Sequence, residues 1–185
     1  MNDTNNIIFI DSSLVFFTKR METVSKIKSK KFEFYSELNT VFADPVAVSL
    51  FNDLNENHSF KIILIDSWIN TSVHKRDELE ELFHLNDLKI NLHEPYFLKT
   101  ESEESIFTSV SKMLNEFKPM NYTLILDDSN KNILELNEEN SLDYNHTIFV
   151  NENNGLSFNN INHIRYSLNH WFPNNGYSDY RVEPI

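Results

Sequence analysis

A chain of 185 residues with 40% hydrophobic content is about one domain long and can bury a substantial core. Its 28 acidic residues against 16 basic ones give a formal charge of -12, which excludes a broad nucleic-acid-wrapping surface because phosphates would be repelled, while leaving room for a local basic patch. With no cysteine, disulfides, cysteine-ligated zinc and thiol nucleophiles are excluded as well. No apolar run reaches the length of a membrane span, and Met1–Asn6 carries neither the basic nor the apolar region of a signal peptide, so a soluble, cytoplasmic chain is expected.

The first element is the run Ile7, Ile8, Phe9 and Ile10, whose lack of polar alternation predicts a strand covered on both faces. It ends on Asp11, at the edge where ligands collect in open α/β sheets. Leu14–Phe17, a polar stretch and Phe32–Tyr35 follow, and predict a hairpin or flap over about residues 14–43 beside that edge. The flap holds Lys19, Arg20, Lys26, Lys28, Lys30 and Lys31, a local reversal of the chain's charge. Such a run reads either as a solvated arm or as a lid that draws an anionic ligand to Asp11, and it is also a candidate protein-binding surface. Its aromatic residues, Phe16, Phe17, Phe32, Phe34 and Tyr35, read as packing groups or as stacking platforms for bases.

Asp44-Pro45 predicts a helix start, with Val46, Leu50, Phe51 and Leu54 along one face and an end near Asn57. Lys61–Ile65 is a second continuous apolar strand, running into Asp66-Ser67-Trp68. A helix over Lys75–His84 is buried through Leu79, Leu82 and Phe83, and Leu88–Leu92 reads as a short third strand. Thr100 with Glu103 forms a capping box that opens a helix through Ile106, Val110, Met113 or Leu114, and Phe117, with Pro119 past its end. Thr123–Leu126 is the next buried strand and delivers Asp127-Asp128. Thr147–Val150 is a further strand, Gly155 marks a turn, and Ser157 caps a last helix that buries Ile161, Ile164, Leu168 and Trp171. The alternation predicts a three-layer Rossmann-like α/β domain over residues 1–172, with a mostly parallel sheet of about five strands, and a tail over 173–185.

Three strand ends therefore carry Asp11, Ser67 beside Asp66, and the pair Asp127-Asp128. Aspartates brought together repel one another without a cation, and magnesium takes oxygen ligands, usually one or two carboxylates plus waters and substrate phosphate. The seven histidines show no zinc-ligand spacing, and the chain has neither a glycine-rich phosphate loop nor a nucleophile elbow.

In Ile10-Asp11-Ser12-Ser13, Asp66-Ser67-Trp68 and Leu126-Asp127-Asp128 the chain resembles the haloacid-dehalogenase-like superfamily of phosphatases, whose first strand ends in D-x-D, second in Ser or Thr and fourth in an acidic pair. Ser67-Trp68 and Gly155-Leu156-Ser157 are similar to small domains of that superfamily found in RNA-repair and bacterial proteins. Over about residues 6–172 the resemblance implies a nucleophilic Asp11, magnesium held by Asp11, the Ser13 carbonyl and Asp127 or Asp128, and phosphate contacts from Ser67. A phosphohydrolase of this kind is expected to act on a phosphorylated small molecule, such as a nucleotide, or on a nucleic-acid end, and the local positive charge of Lys26, Lys28, Lys30 and Lys31 would help to bind it. Three departures point to a slow or retired site. Ser13 stands where the family has its acid–base aspartate, Leu14 where it has glycine, and neither Lys99 nor Lys112 fits the place of its phosphate-binding lysine. The alternative is thus a catalytically inactive binding or inhibitory protein on the same fold.

Overall fold

The computed structural model describes residues 6–18, 21, 42–65, 75–98, 105–128, 146–151 and 153–169. Five parallel strands form one sheet: β1 (Asn6–Ile10), β2 (Phe60–Leu64), β3 (Leu92–Phe97), β4 (Tyr122–Asp127) and β5 (Thr147–Val150), in the order β3-β2-β1-β4-β5. A helical turn α1 (Ser12–Val15) follows β1, and the longer helices are α2 (Pro45–His58), α3 (Arg76–Leu85), α4 (Ile106–Phe117) and α5 (Phe158–Asn169).

Successive strand residues point to opposite faces, and the core divides accordingly. Ile8, Ile10, Ile62, Leu64, Ile125 and Ile148 face a cluster with residues of α1, α2, α3 and α5. Ile7, Phe9, Ile63, Leu124 and Leu126 face a second cluster with Phe107 and Val110 of α4. The two sides follow from right-handed crossovers. Stepping outward from β1 to β3 puts α2 and α3 on one face, and returning from β3 to β4 puts α4 on the other. The result is the three-layer α/β architecture expected, with every strand pair parallel.

Several local expectations are corrected. Leu14–Phe17 is not the first leg of a hairpin. Asp11 caps a helical turn there, and Leu14, Val15 and Phe16 are buried, Phe16 edge-on to Phe51 at 4.9 Å between ring centres. Phe16 and Phe17 therefore pack rather than stack on bases. Residues 19, 20 and 22–41, which hold most of the expected flap with Lys19, Arg20, Lys26, Lys28, Lys30 and Lys31, lie outside the described residues. In α2, Asp44 caps Val46 N–H at 3.0 Å as expected, but Val46 is 60% exposed. The buried face is set by Ala47, Val48, Phe51 and Leu54, and at about 100° per residue Val46 is turned off it. The third strand is Leu92–Phe97 rather than Leu88–Leu92, an edge strand that accommodates Pro95 because an edge residue need not donate to a neighbour. Leu88 is buried in the loop before it. Ser105 caps α4, accepting from Thr108 N–H at 3.2 Å, while Thr100 and Glu103 lie outside the described residues.

Asparagine amides tie the loops at the amino edge of the sheet. Asn121 Nδ2 donates to Asn6 Oδ1 at 2.9 Å and to the Leu168 carbonyl at 3.0 Å, and Asn52 and Asn55 donate to the carbonyls of Asp87 and Lys89 at 2.8 and 2.6 Å. Among the described residues no helix is long and apolar enough to cross a membrane.

Two histidines couple this packing to pH. Burial, with Lys61 nearby, lowers the pKa of His93 below its ordinary 6.5, and burial with Arg165 nearby lowers that of His58. The folded state therefore holds both neutral at a pH where the unfolded chain takes up protons. Their contribution to stability is complete above pH 6.5 and is lost as pH falls from there through the folded values. Denaturant midpoints are expected to drop on acidification across that range, and His93→Gln should flatten the drop. An unchanged slope in His93→Gln would show that the ring, packed 4.8 Å from Phe117, contributes nothing to it.

Candidate functional site

In open parallel sheets the ligand crevice lies outside the carboxyl ends of the strands, where the strand order turns back. Here β2 and β3 lie to one side of β1 and β4 and β5 to the other, so the turning point is between β1 and β4. Ile10 pairs with Ile125 across that gap, which brings Asp11 and the Asp127-Asp128 pair to the same edge from adjacent strands. On its other side β1 continues beside β2, with Ile65 N–H donating to the Ile10 carbonyl at 3.0 Å. Ser67, with Asp66 and Trp68, lies outside the described residues just beyond.

Asp11 has two jobs in one side chain. As N-cap of α1 it accepts Ser13 N–H on Oδ1 at 3.0 Å, and the Ser13 hydroxyl donates to the same oxygen in a short bond. No described residue donates to Oδ2. One carboxylate oxygen thus fixes the turn. The turn is itself held down: the Asp44 N–H donates to the Phe16 carbonyl at 2.7 Å, which joins α1 to the start of α2. Asp11, Ser13, Asp127 and Asp128 are all partly exposed at this edge, whereas Ser12 is buried.

The fourth strand end at this edge is a group that the sequence reading passed over. Asn151 follows β5 as Asp11 follows β1, and its Nδ2 donates to Asp128 Oδ2 at 3.1 Å. Its Oδ1 accepts Asn153 N–H at 3.0 Å, and its carbonyl accepts the N–H groups of Asn154 and Gly155 at 3.1 and 2.9 Å. Gly155 takes a φ of +67°, and a Cβ there would stand 2.6 Å from the Thr18 methyl, so this turn presses directly on the segment after α1. Ser157 then begins α5 by a reciprocal cap with Asn160, as the sequence led one to expect of Ser157. The rule that picked out Asp11 would have picked out Asn151 had it been applied to β5.

The acidic groups at this edge are the carboxylates of Asp11, Asp127 and Asp128, and carboxylate oxygens are the ligand type that hard divalent cations take. Among the described residues no three histidine, aspartate or glutamate side chains form a metal-holding group. One carboxylate from each of two strands, with waters and a substrate phosphate, matches the way magnesium is usually held. A groove of about 620 Å³ between α2, α3 and the loop to β3, lined by Asn52, Phe83, His84 and Lys89, opens near the amino edge and shares none of these groups.

Comparison of the chain with models of protein families, with curated proteins and with solved structures finds no match.

Proposed function

We propose that the protein is a magnesium-dependent phosphohydrolase of reduced activity, haloacid-dehalogenase-like in its chemistry, acting on a phosphoester such as a nucleotide or a nucleic-acid end. The observation that carries this reading is the placement of Asp11 and of Asp127-Asp128 at the ends of adjacent strands where the strand order turns back. In the reaction Asp11 Oδ2 attacks phosphorus, the bond from phosphorus to the leaving oxygen breaks, and that oxygen takes the electron pair and then a proton from solvent. Water next attacks the aspartyl phosphate at phosphorus. The bond from phosphorus to the Asp11 oxygen breaks with its electron pair returning to the carboxylate, inorganic phosphate leaves, and the proton lost by the water passes to solvent. Asp11, the Ser13 carbonyl and Asp127 or Asp128 would hold magnesium, which supplies positive charge against the phosphoryl oxygens when bound. Ser67 is assigned to the phosphate, and Lys26, Lys28, Lys30 and Lys31 to drawing an anionic ligand toward an otherwise acidic domain.

Proton transfer is the weak step. The Ser13 hydroxyl donates to Asp11, and a serine is too weak an acid to replace a carboxyl group, so about 10²–10⁴-fold of rate is forgone. That same bond favours a second reading, in which the fold serves as a binding or inhibitory protein and Ser13 merely steadies the turn. Phosphate release from nucleotides, sugar phosphates and oligonucleotide ends, measured with magnesium for wild type and Ser13→Asp, separates the two. Turnover is expected to rise by about 10²-fold in Ser13→Asp. A Ser13→Asp protein that binds magnesium and releases no phosphate from any of these substrates would favour the binding protein.

A further inference from the structure

We infer that Arg76 is a strap that closes the outer edge of β3 to strand pairing by a second copy of this chain, an inference independent of the phosphohydrolase reading. The last strand of an open sheet offers unpaired backbone N–H and C=O groups on its outer side, and these are a template for another chain. Among the described residues β3 is such a strand, with β2 on one side and no strand on the other. Asn91 turns its carbonyl inward, accepting the Ile62 N–H of β2 at 2.8 Å. Backbone groups alternate in direction along a strand, so the carbonyl of Leu92, the next residue, faces outward. Arg76, the first residue of α3, reaches it: Nη2 donates to the Leu92 carbonyl at 3.1 Å, Nη1 to Glu94 Oε2 at 2.9 Å and Nε to Glu80 Oε1 at 2.7 Å. These bonds use separate nitrogens of one planar group and fix the guanidinium against the edge. Farther along, Pro95 has no N–H to offer, and the pairing of β3 with β2 shifts register between Leu92 and Phe97. The backbone itself blunts that end, and the stretch at Leu92 is the part that needs a side chain to cover it. A second copy is the partner kept out, because two identical edges can pair antiparallel about a twofold axis. Such pairing has to displace Arg76 and leaves the exposed Glu94 of each copy without its cation.

The test is sedimentation of the full chain over a concentration series, for wild type, Arg76→Lys and the double variant Arg76→Ser/Glu94→Thr, with hydrogen exchange followed in the peptide that holds Leu92–Phe97. The double variant removes the strap together with the charge it holds, and exposed ion pairs contribute little to stability, so the fold is retained. Pairing then no longer has to break a hydrogen bond from a charged donor, so the double variant is expected to self-associate at least about tenfold more tightly than wild type. Exchange should slow at Leu92–Phe97 in the associated form. Arg76→Lys keeps the charge as a single point donor and should lie between the two. Equal self-association in wild type and the double variant, or association with no added protection at Leu92–Phe97, would overturn the strap. A wild-type chain already paired through this edge would overturn it as well. If the double variant does not fold, Arg76→Lys decides the matter, and self-association no tighter than that of wild type counts against the inference.

Discussion

Asp11→Asn is expected to reduce magnesium-dependent phosphate release by about 10⁴-fold or more, to background, while leaving the unfolding midpoint close to that of wild type. The two halves of this expectation have separate origins. Asparagine caps helices about as well as aspartate, and its side-chain oxygen can still accept the Ser13 N–H, so α1 stays in place. Its amide cannot displace a leaving group at phosphorus, so the chemistry stops. Phosphate release and a thermal melt on the same preparation check both halves. A variant that melts like wild type and still turns over would place the nucleophile elsewhere, and a variant that unfolds would show that the charge of Asp11 is needed for the turn itself.

Phe51→Ala is expected to cost about 3–5 kcal/mol, a large part of the 5–15 kcal/mol by which a typical domain is stable. Phe51 is fully buried, with Phe16 edge-on at 4.9 Å and Phe60 edge-on at 5.3 Å. Its ring thus joins α2 to β2 and to the residue just after α1. Removing it leaves a cavity beneath the turn that carries Asp11, and the surrounding rings can close it only partly. Urea denaturation measures the loss. Because Phe16 lies on the path from that cavity to Asp11, magnesium affinity in the folded fraction should fall as well. A loss below about 1 kcal/mol would mean that the ring cluster repacks around the hole.

The strands that could be read from sequence were those whose burial forces an unbroken apolar run. Ile7–Ile10, Ile62–Leu64 and Leu124–Leu126 sit in the middle of the sheet and are buried on both faces. The edge strand was misplaced for the same reason in reverse. Leu92–Phe97 carries His93, Glu94 and Pro95, while Leu88, Ile90 and Leu92 alternate like a strand because they pack a loop. Leu14–Phe17 misled because a single helical turn is too short to show a period, and four apolar residues in a row resemble a strand. The described start of α4 turns on one hydroxyl, that of Ser105, while Thr100 and Glu103 lie outside the described residues. Of the candidate site, Asp11, Asp127 and Asp128 were legible as acids ending buried strands. Asn151 was legible only by its place after β5, because in a chain where Asn52, Asn55 and Asn121 serve as loop ties an amide carries no chemical signal of its own until its partner is known.

The central claim is that Asp11 accepts a phosphoryl group, and it is tested most directly by acid quenching. Wild-type protein is mixed with magnesium and an aryl phosphate, whose leaving group needs no acid, then quenched in acid and digested. With serine in place of a carboxylate at position 13, water is poorly activated for the second step, so the aspartyl phosphate should accumulate. The account predicts one added phosphoryl group on the peptide that contains Asp11, dependent on magnesium and absent from Asp11→Asn. A wild-type chain that consumes the aryl phosphate with no phosphorylated peptide, or with the same label in Asp11→Asn, would contradict it.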